Sequence, residues 1–184
     1  ILHTIRDYSA AVVVDDEHGG IAATYHGDVA YPDLAADIYT LGIWYNAACL
    51  AIEVNSIGRG IQEIVHAIWG YPNVFVGLRR ELLMPSLAER PEPGFRTTSK
   101  TRPLLIQLAA QYIADPTSRI PDARLRHELR TMEHDGRMKI RATGRNHDDL
   151  AIAFMIALYA RSEKLGTTLM GPALSDPLAA LPHN

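Results

Sequence analysis

Leu50-Ala51-Ile52-Glu53-Val54-Asn55-Ser56-Ile57-Gly58 joins an apolar run to a carboxylate, an amide and a glycine. The run from Ala47 to Ile52 is too short for a helix and predicts a buried strand. A buried strand carries a glutamate at its end only if solvent, a cation or a set of donors compensates the charge, because an isolated buried carboxylate is costly. Glu53 on its own is equally consistent with a strand end that meets water. A second acidic element, His147-Asp148-Asp149, stands far away in sequence at the mouth of the last apolar segment. The intervening chain reads as the scaffold that serves both.

Working outward from Glu53, the pattern alternates. Ser9 to Val14 is a β-branched run, Asp15 to Gly20 has strong turn chemistry, and Ile21 to His26 completes a hairpin. The acidic residues of that turn are expected to serve the turn rather than a metal. A helix is expected from Asp33, behind Pro32, with Leu34, Ile38, Leu41 and Tyr45 at helical spacing. After the Glu53 strand, Gly58 and Gly60 lead into a helix carrying Ile61, Ile64, Val65 and Ile68. Tyr71-Pro72-Asn73 breaks it, and Val74 to Val76 reads as another short strand. Helix and strand in alternation predict an α/β layer architecture. Residues 77–98, with Pro85, Pro91, Pro93 and Gly94, read as a long loop. Helices are expected at Ser99 to Ala114, at Asp122 to Met132 with Asp122 as N-cap, and at Asp148 to about Lys164. Met138 to Ala142 reads as a strand. One domain is expected at residues 1–165, with a peripheral tail at 166–184.

The 184 residues include 47% apolar and 21% charged side chains, the balance of an ordinary globular chain. The lone Cys49 sits in the apolar run, which excludes an internal disulfide and suggests a reducing compartment. No apolar run is long enough to cross a bilayer, so no membrane partner is expected. Net charge is −3, which argues against a generally basic nucleic-acid binder. Its distribution is uneven: Arg79 to Arg145 holds 14 Lys+Arg against 8 Asp+Glu, while the remainder holds 4 against 13. A basic surface beside an acidic site is the reading that asymmetry suggests, with a solvated arginine-rich face as the alternative.

Clustered carboxylates are hard ligands suited to Mg²⁺ or Mn²⁺. Two such ions about 4 Å apart can activate a water and stabilise the leaving oxygen of a phosphodiester. A carboxylate at a helix start is also favoured by the helix dipole alone, but two in a row exceed what a cap needs. Other chemistries have less support. There is no Gly-rich loop ending in Lys-Ser or Lys-Thr, Cys49 is an unlikely nucleophile among apolar neighbours, and the histidines lack zinc spacing.

Three segments together carry a resemblance: Ile52 to Gly58, then Thr97-Thr98-Ser99-Lys100-Thr101-Arg102, then Gly144-Arg145-Asn146-His147-Asp148-Asp149-Leu150. In order and spacing they resemble the nuclease domain of tailed-phage large terminases over roughly residues 5–162, and Arg6-Asp7-Tyr8-Ser9-Ala10 resembles the segment after that family's first catalytic strand. The resemblance implies an α/β, RNase H-like fold: a mixed five-stranded sheet flanked by helices, with acidic residues converging on two divalent ions, Mg²⁺ or Mn²⁺. It implies a metal-dependent endonuclease that cuts double-stranded DNA during phage packaging in the host cytoplasm. The terminase ATPase domain, the portal and the small terminase are the expected partners. By resemblance Glu53, Asp149 and Asp148 are the catalytic metal ligands, His147 orients a carboxylate or water, and Lys100, Arg102, Arg141 and Arg145 contact DNA phosphates. Glu128 matches a helix position with an expected structural role. The family's first catalytic Asp precedes the segment matched by Arg6-Asp7-Tyr8, and Ile1 to Ile5 contains none. The alternatives are another RNase H-like nuclease, such as a resolvase or transposase, and a catalytically incomplete module that binds DNA or a packaging partner.

Overall fold

The computed structural model describes residues 8–54, 57–77, 92–134, 140–142 and 147–165. They form a mixed α/β chain with two compact units, the first made of Ile1–Asp28 and Thr98–Asn184 and the second of Val29–Thr97. Among the described residues no helix is long and apolar enough to cross a membrane. The segment Arg6-Asp7, most of the expected 77–98 loop, Arg137, Lys139, Arg145 and the 166–184 tail lie outside the described residues.

The first unit opens with the expected hairpin. Strands β1 (Ser9–Val14) and β2 (Ile21–Gly27) pair antiparallel, with a register shift at Val13/Val14. The turn between them is closed by the Gly19 N–H on the Asp15 carbonyl, 2.9 Å, and by the Asp15 N–H on the Gly20 carbonyl, 2.8 Å. Gly19 takes φ +75°, a conformation that favours glycine, and the Asp15 carboxylate accepts the Glu17 N–H at 2.9 Å. The Asp15 carboxylate therefore serves the turn.

Helix α5 (Asp149–Lys164) is the element against which β1, helix α3 (Arg102–Ala114) and helix α4 (Ala123–Thr131) all pack. It buries Leu150, Ala151, Phe154, Met155, Ile156, Leu158 and Ala160, a surface too wide for one stripe, as expected for a helix packed on several sides. Tyr112 of α3 meets Phe154 edge-on with ring centroids 5.1 Å apart. The far end of α5 is tied to the hairpin turn: Arg161 donates to the carbonyls of Asp16 and Glu17, and the Lys164 ammonium pairs with the Asp16 carboxylate.

Two helix boundaries depart from expectation for local reasons. α3 begins at Arg102 rather than Ser99, because the Thr98 hydroxyl accepts the N–H groups of Lys100 and Thr101 in a side-chain turn and Pro103 suits the first helical turn. α4 stops at Thr131, and Met132 turns extended to open a strand β5 (Met132–His134), which pairs antiparallel with β6 (Ile140–Ala142). The N-cap at Asp122 is as expected: its carboxylate accepts the N–H groups of Arg124 and Leu125 at 2.7 and 3.0 Å.

In the second unit, helix α1 (Tyr31–Trp44) starts two residues before the expected Asp33, with Pro32 inside its first turn. Helix α2 (Ile57–Gln62) contains Gly58 and Gly60 rather than following them, and continues as a π-helical stretch, Glu63–Ile68. Ile61 and Val65 are buried while Ile68 is exposed. The Ala47 to Ile52 run opens on a bend at Ala47, φ 51°, and is half-buried, and the chain joins its neighbours through isolated parallel bridges, Leu50 with Val74 and Glu53 with Phe95. Strands β3 (Val76–Gly77) and β4 (Glu92–Pro93) pair antiparallel. Among the described residues, regular pairing is thus confined to three two-stranded sheets, and a five-stranded ladder is not formed.

Tyr71 anchors this unit. It is 1% exposed, its hydroxyl donates to the Ala48 carbonyl at 2.7 Å, and Gly42 of α1 leaves room for its ring. A Cβ at Gly42 would collide with that hydroxyl. Gly42→Ala is therefore expected to cost about 1–3 kcal/mol by overpacking, against the roughly 1 kcal/mol gain that helix propensity alone would give. Urea denaturation measures this directly, and a stabilised variant would contradict the packing described.

Candidate functional site

The first unit brings together one of the two expected acidic elements. Asp149 is the first residue of α5, and its side chain is 23% exposed. Its Oδ2 accepts the Tyr8 backbone N–H at 3.3 Å, which fixes the carboxylate against the strand entering β1. His147 Nδ1 lies 3.7 Å from the same oxygen. The Tyr8 ring contacts two histidine rings: His26 on β2, with centroids 4.6 Å apart, and His147, edge-on at 4.9 Å.

His26 is held below the usual histidine range. Burial is the main cause, the Arg124 charge adds to it, and the Asp149 charge works in the opposite direction. The shift favours the neutral ring, which donates from one nitrogen and accepts at the other. Beside it, the Thr24 hydroxyl donates to Asp122 at 2.7 Å, which ties β2 to the start of α4. Burial opposes ionisation of Asp122, but the bonds from Thr24, Leu125 and Arg124 outweigh it and hold the carboxyl below its usual range.

Glu128 is the residue that sequence reasoning undervalued. It is 6% exposed, and its Oε2 accepts the Ala151 N–H at 2.9 Å, so a side chain from α4 satisfies the start of α5. Burial pushes its carboxyl up to about 7; the Ala151 and Leu150 N–H groups oppose the rise, and the charges of Asp149 and Asp148 add to it. The structural role expected for Glu128 is what this geometry describes. The sequence held a further signal: Glu128 shares the buried face of α4 with Leu125 and Leu129, where a charged residue requires partners. Asp148 occupies the N-cap position of α5, yet its side chain makes no capping bond.

The remaining candidates are distributed. Glu53 belongs to the second unit and is half-buried. Its backbone neighbours are fixed by two short bonds, Phe95 N–H to the Ile52 carbonyl at 2.7 Å and Val54 N–H to the Phe95 carbonyl at 2.8 Å. Lys100 is exposed in the turn before α3, Arg102 opens that helix, and Arg141 lies in β6. The oxygen donors of Asp148 and Asp149 match the chemistry of Mg²⁺ or Mn²⁺. Among the described residues, no group of three or more His, Cys, Asp and Glu side chains is gathered at metal-binding distance. No protein-family model matches the chain, and no curated protein matches it in sequence.

The raised Glu128 value has a consequence for stability. Its folded value of about 7 exceeds the ordinary 4.5, so folding favours the protonated acid. Its contribution is fully present below about pH 4.5 and is lost as pH rises through about 7. Relative to Glu128→Gln, the wild type is expected to lose on the order of 2–3 kcal/mol across that interval. Urea denaturation at several pH values measures this, and parallel pH profiles for the two proteins would contradict it.

Proposed function

We propose that this chain is a metal-dependent DNA endonuclease domain of the phage-packaging terminase type, with an RNase H-like fold. The observation that carries the reading is the Asp149 carboxylate, half-buried, held by the Tyr8 N–H and flanked by Asp148 and by the buried Glu128. Adjacent carboxylates such as Asp148 and Asp149 are hard oxygen ligands of the kind that Mg²⁺ and Mn²⁺ take. The three sequence segments, in their order, give that cation a phosphodiester substrate.

In this reading Asp149 and Asp148 would hold divalent ions, Mg²⁺ or Mn²⁺, and Glu53 is a further acidic ligand that the resemblance implies. Such ions, when bound, would supply Lewis-acid activation of a water and charge stabilisation for a leaving oxygen. The protein's own groups do the rest. The Tyr8 N–H and His147 orient the Asp149 carboxylate, while Glu128 fixes the helix turn that bears it. Lys100, Arg102, Arg141 and Arg145 bind backbone phosphates of double-stranded DNA, which predicts affinity that falls steeply with salt. The ATPase domain, portal and small terminase are the partners this function entails.

Incubation of supercoiled plasmid with the chain and Mn²⁺ tests the reading. Cleavage is expected, reduced at least about a hundredfold in Asp149→Ala and in Glu53→Ala, the scale of losing more than about 2.7 kcal/mol of transition-state stabilisation. Cleavage that persists unchanged in both variants would contradict it. Salt-sensitive DNA binding without cleavage would instead identify a catalytically incomplete DNA-binding module.

A further inference from the structure

We infer that the exposed face of α4, together with Arg119 just before it, is a further surface for the backbone phosphates of duplex DNA. The choice of DNA as the polyanion rests on the function proposed above; the surface itself lies outside the residues assigned there.

α4 divides by chemistry. Leu125, Glu128 and Leu129 are buried, while Arg124, Arg126, His127 and Arg130 are exposed. Glu128 is the acid of this helix and it is turned inward, so the exposed face of α4 bears no carboxylate. Arg126 and Arg130 stand one turn apart, about 6 Å along the axis, where like charges destabilise a helix. Arg124 lies in the first turn, where the helix dipole disfavours a cation. Folding alone gains nothing from this placement, and an anion laid along the face offsets both terms.

The arginines at this end are also ordered in advance. Arg126 donates through Nη1 to the carbonyls of Ile120 and Pro121 at 2.6 and 2.9 Å, and Arg119 through Nη1 to those of Pro116 and Ser118 at 2.7 and 2.8 Å. Carbonyls hold these side chains without cancelling their charge, which lowers the entropy that a phosphate contact must overcome. The neighbouring carboxylates are already engaged. Asp115 accepts the Thr117 N–H and hydroxyl. Asp122 caps α4, takes the Thr24 hydroxyl and reaches Arg124 only at 3.7 Å.

This face adjoins the candidate site within the same unit. Thr24, bonded to Asp122, and His26, in contact with Tyr8, are two residues apart on β2 and so share one face of it. The Tyr8 N–H in turn holds Asp149. Among the described residues, the exposed large apolar side chains all lie away from α4 and the turn at 115–121. A membrane surface or a single strand calls for apolar or aromatic groups at the contact, and a protein partner for a buried anchor. Contact through arginine charge alone matches the duplex backbone.

Fluorescence anisotropy of a labelled duplex oligonucleotide, titrated with the full chain in EDTA at several salt concentrations, tests this in three proteins. They are the wild type, Arg126→Gln with Arg130→Gln, and Arg126→Lys with Arg130→Lys, each checked for folding by circular dichroism. The glutamine pair is expected to bind about tenfold more weakly, equally for two unrelated sequences, with a slope of log K against log salt shallower by about 2. The lysine pair keeps both charges and retains the wild-type slope. Wild-type affinity and slope in the glutamine pair would overturn the inference, and plasmid cleavage by the same preparation would leave the nuclease reading standing. A lysine pair as impaired as the glutamine pair would overturn it by assigning the loss to the turn that Arg126 holds. Tighter wild-type binding to a poly-glutamate peptide or to single-stranded DNA than to the duplex would overturn it in favour of that partner. If the glutamine pair does not fold, Arg130→Gln alone decides, with a slope change of about 1 expected and an unchanged slope contradicting the inference.

Discussion

The hydrogen bond from the Ala151 N–H to the Glu128 carboxyl group, 2.9 Å long and buried, is the constraint on which the first unit depends. A helix exposes four unsatisfied N–H groups at its start, and burying them unpaired is costly. α5 is the helix on which the hairpin, α3 and α4 all pack, so its start cannot simply face water. α4 supplies the missing acceptor and is itself fixed at its own start by Asp122, which also holds Thr24 of β2. Strand, helix and helix are thereby connected through three side-chain oxygens. The same connections set the turn that carries Asp148 and Asp149, which links the packing of the unit to its candidate chemistry.

The second unit is governed by close approach rather than by buried charge. Tyr71 inserts beside α1 because Gly42 has no side chain there, and Tyr39 meets both Tyr71 and Trp69 edge-on. Gly94, at φ +94°, lets the chain pass next to Val54, the residue after Glu53. The backbone around Glu53 is thus held by parallel bridges and by a glycine contact, without a regular strand.

Much of this was legible in the sequence. The hairpin declared itself through a β-branched run, a turn rich in Asp and Gly, and a second run. α4 and α5 declared themselves through apolar spacing and the Asp122 cap. The Ala47 to Ile52 run was less informative, because apolar composition measures a tendency to be buried and not the number of strand partners available; here the partners offer only single bridges. The π-helical turn at Glu63–Ile68 left no mark in the apolar spacing. β5 was hidden because Met132 continues the pattern of α4, and its pairing depends on a strand several residues away. The role of Glu128 was half visible: its position on an apolar face called for partners, but those partners are backbone groups, which no side-chain pattern encodes.

Amide hydrogen exchange at Ala151, compared between wild type and Glu128→Met, probes the Glu128 cap itself. The Ala151 amide is expected to be protected in the wild type and to lose at least about tenfold of that protection in the variant, the loss of roughly 1.4 kcal/mol in the local opening equilibrium, while Phe154 in the helix interior is unchanged. Unaltered protection at Ala151 would mean that Glu128 does not hold the start of α5.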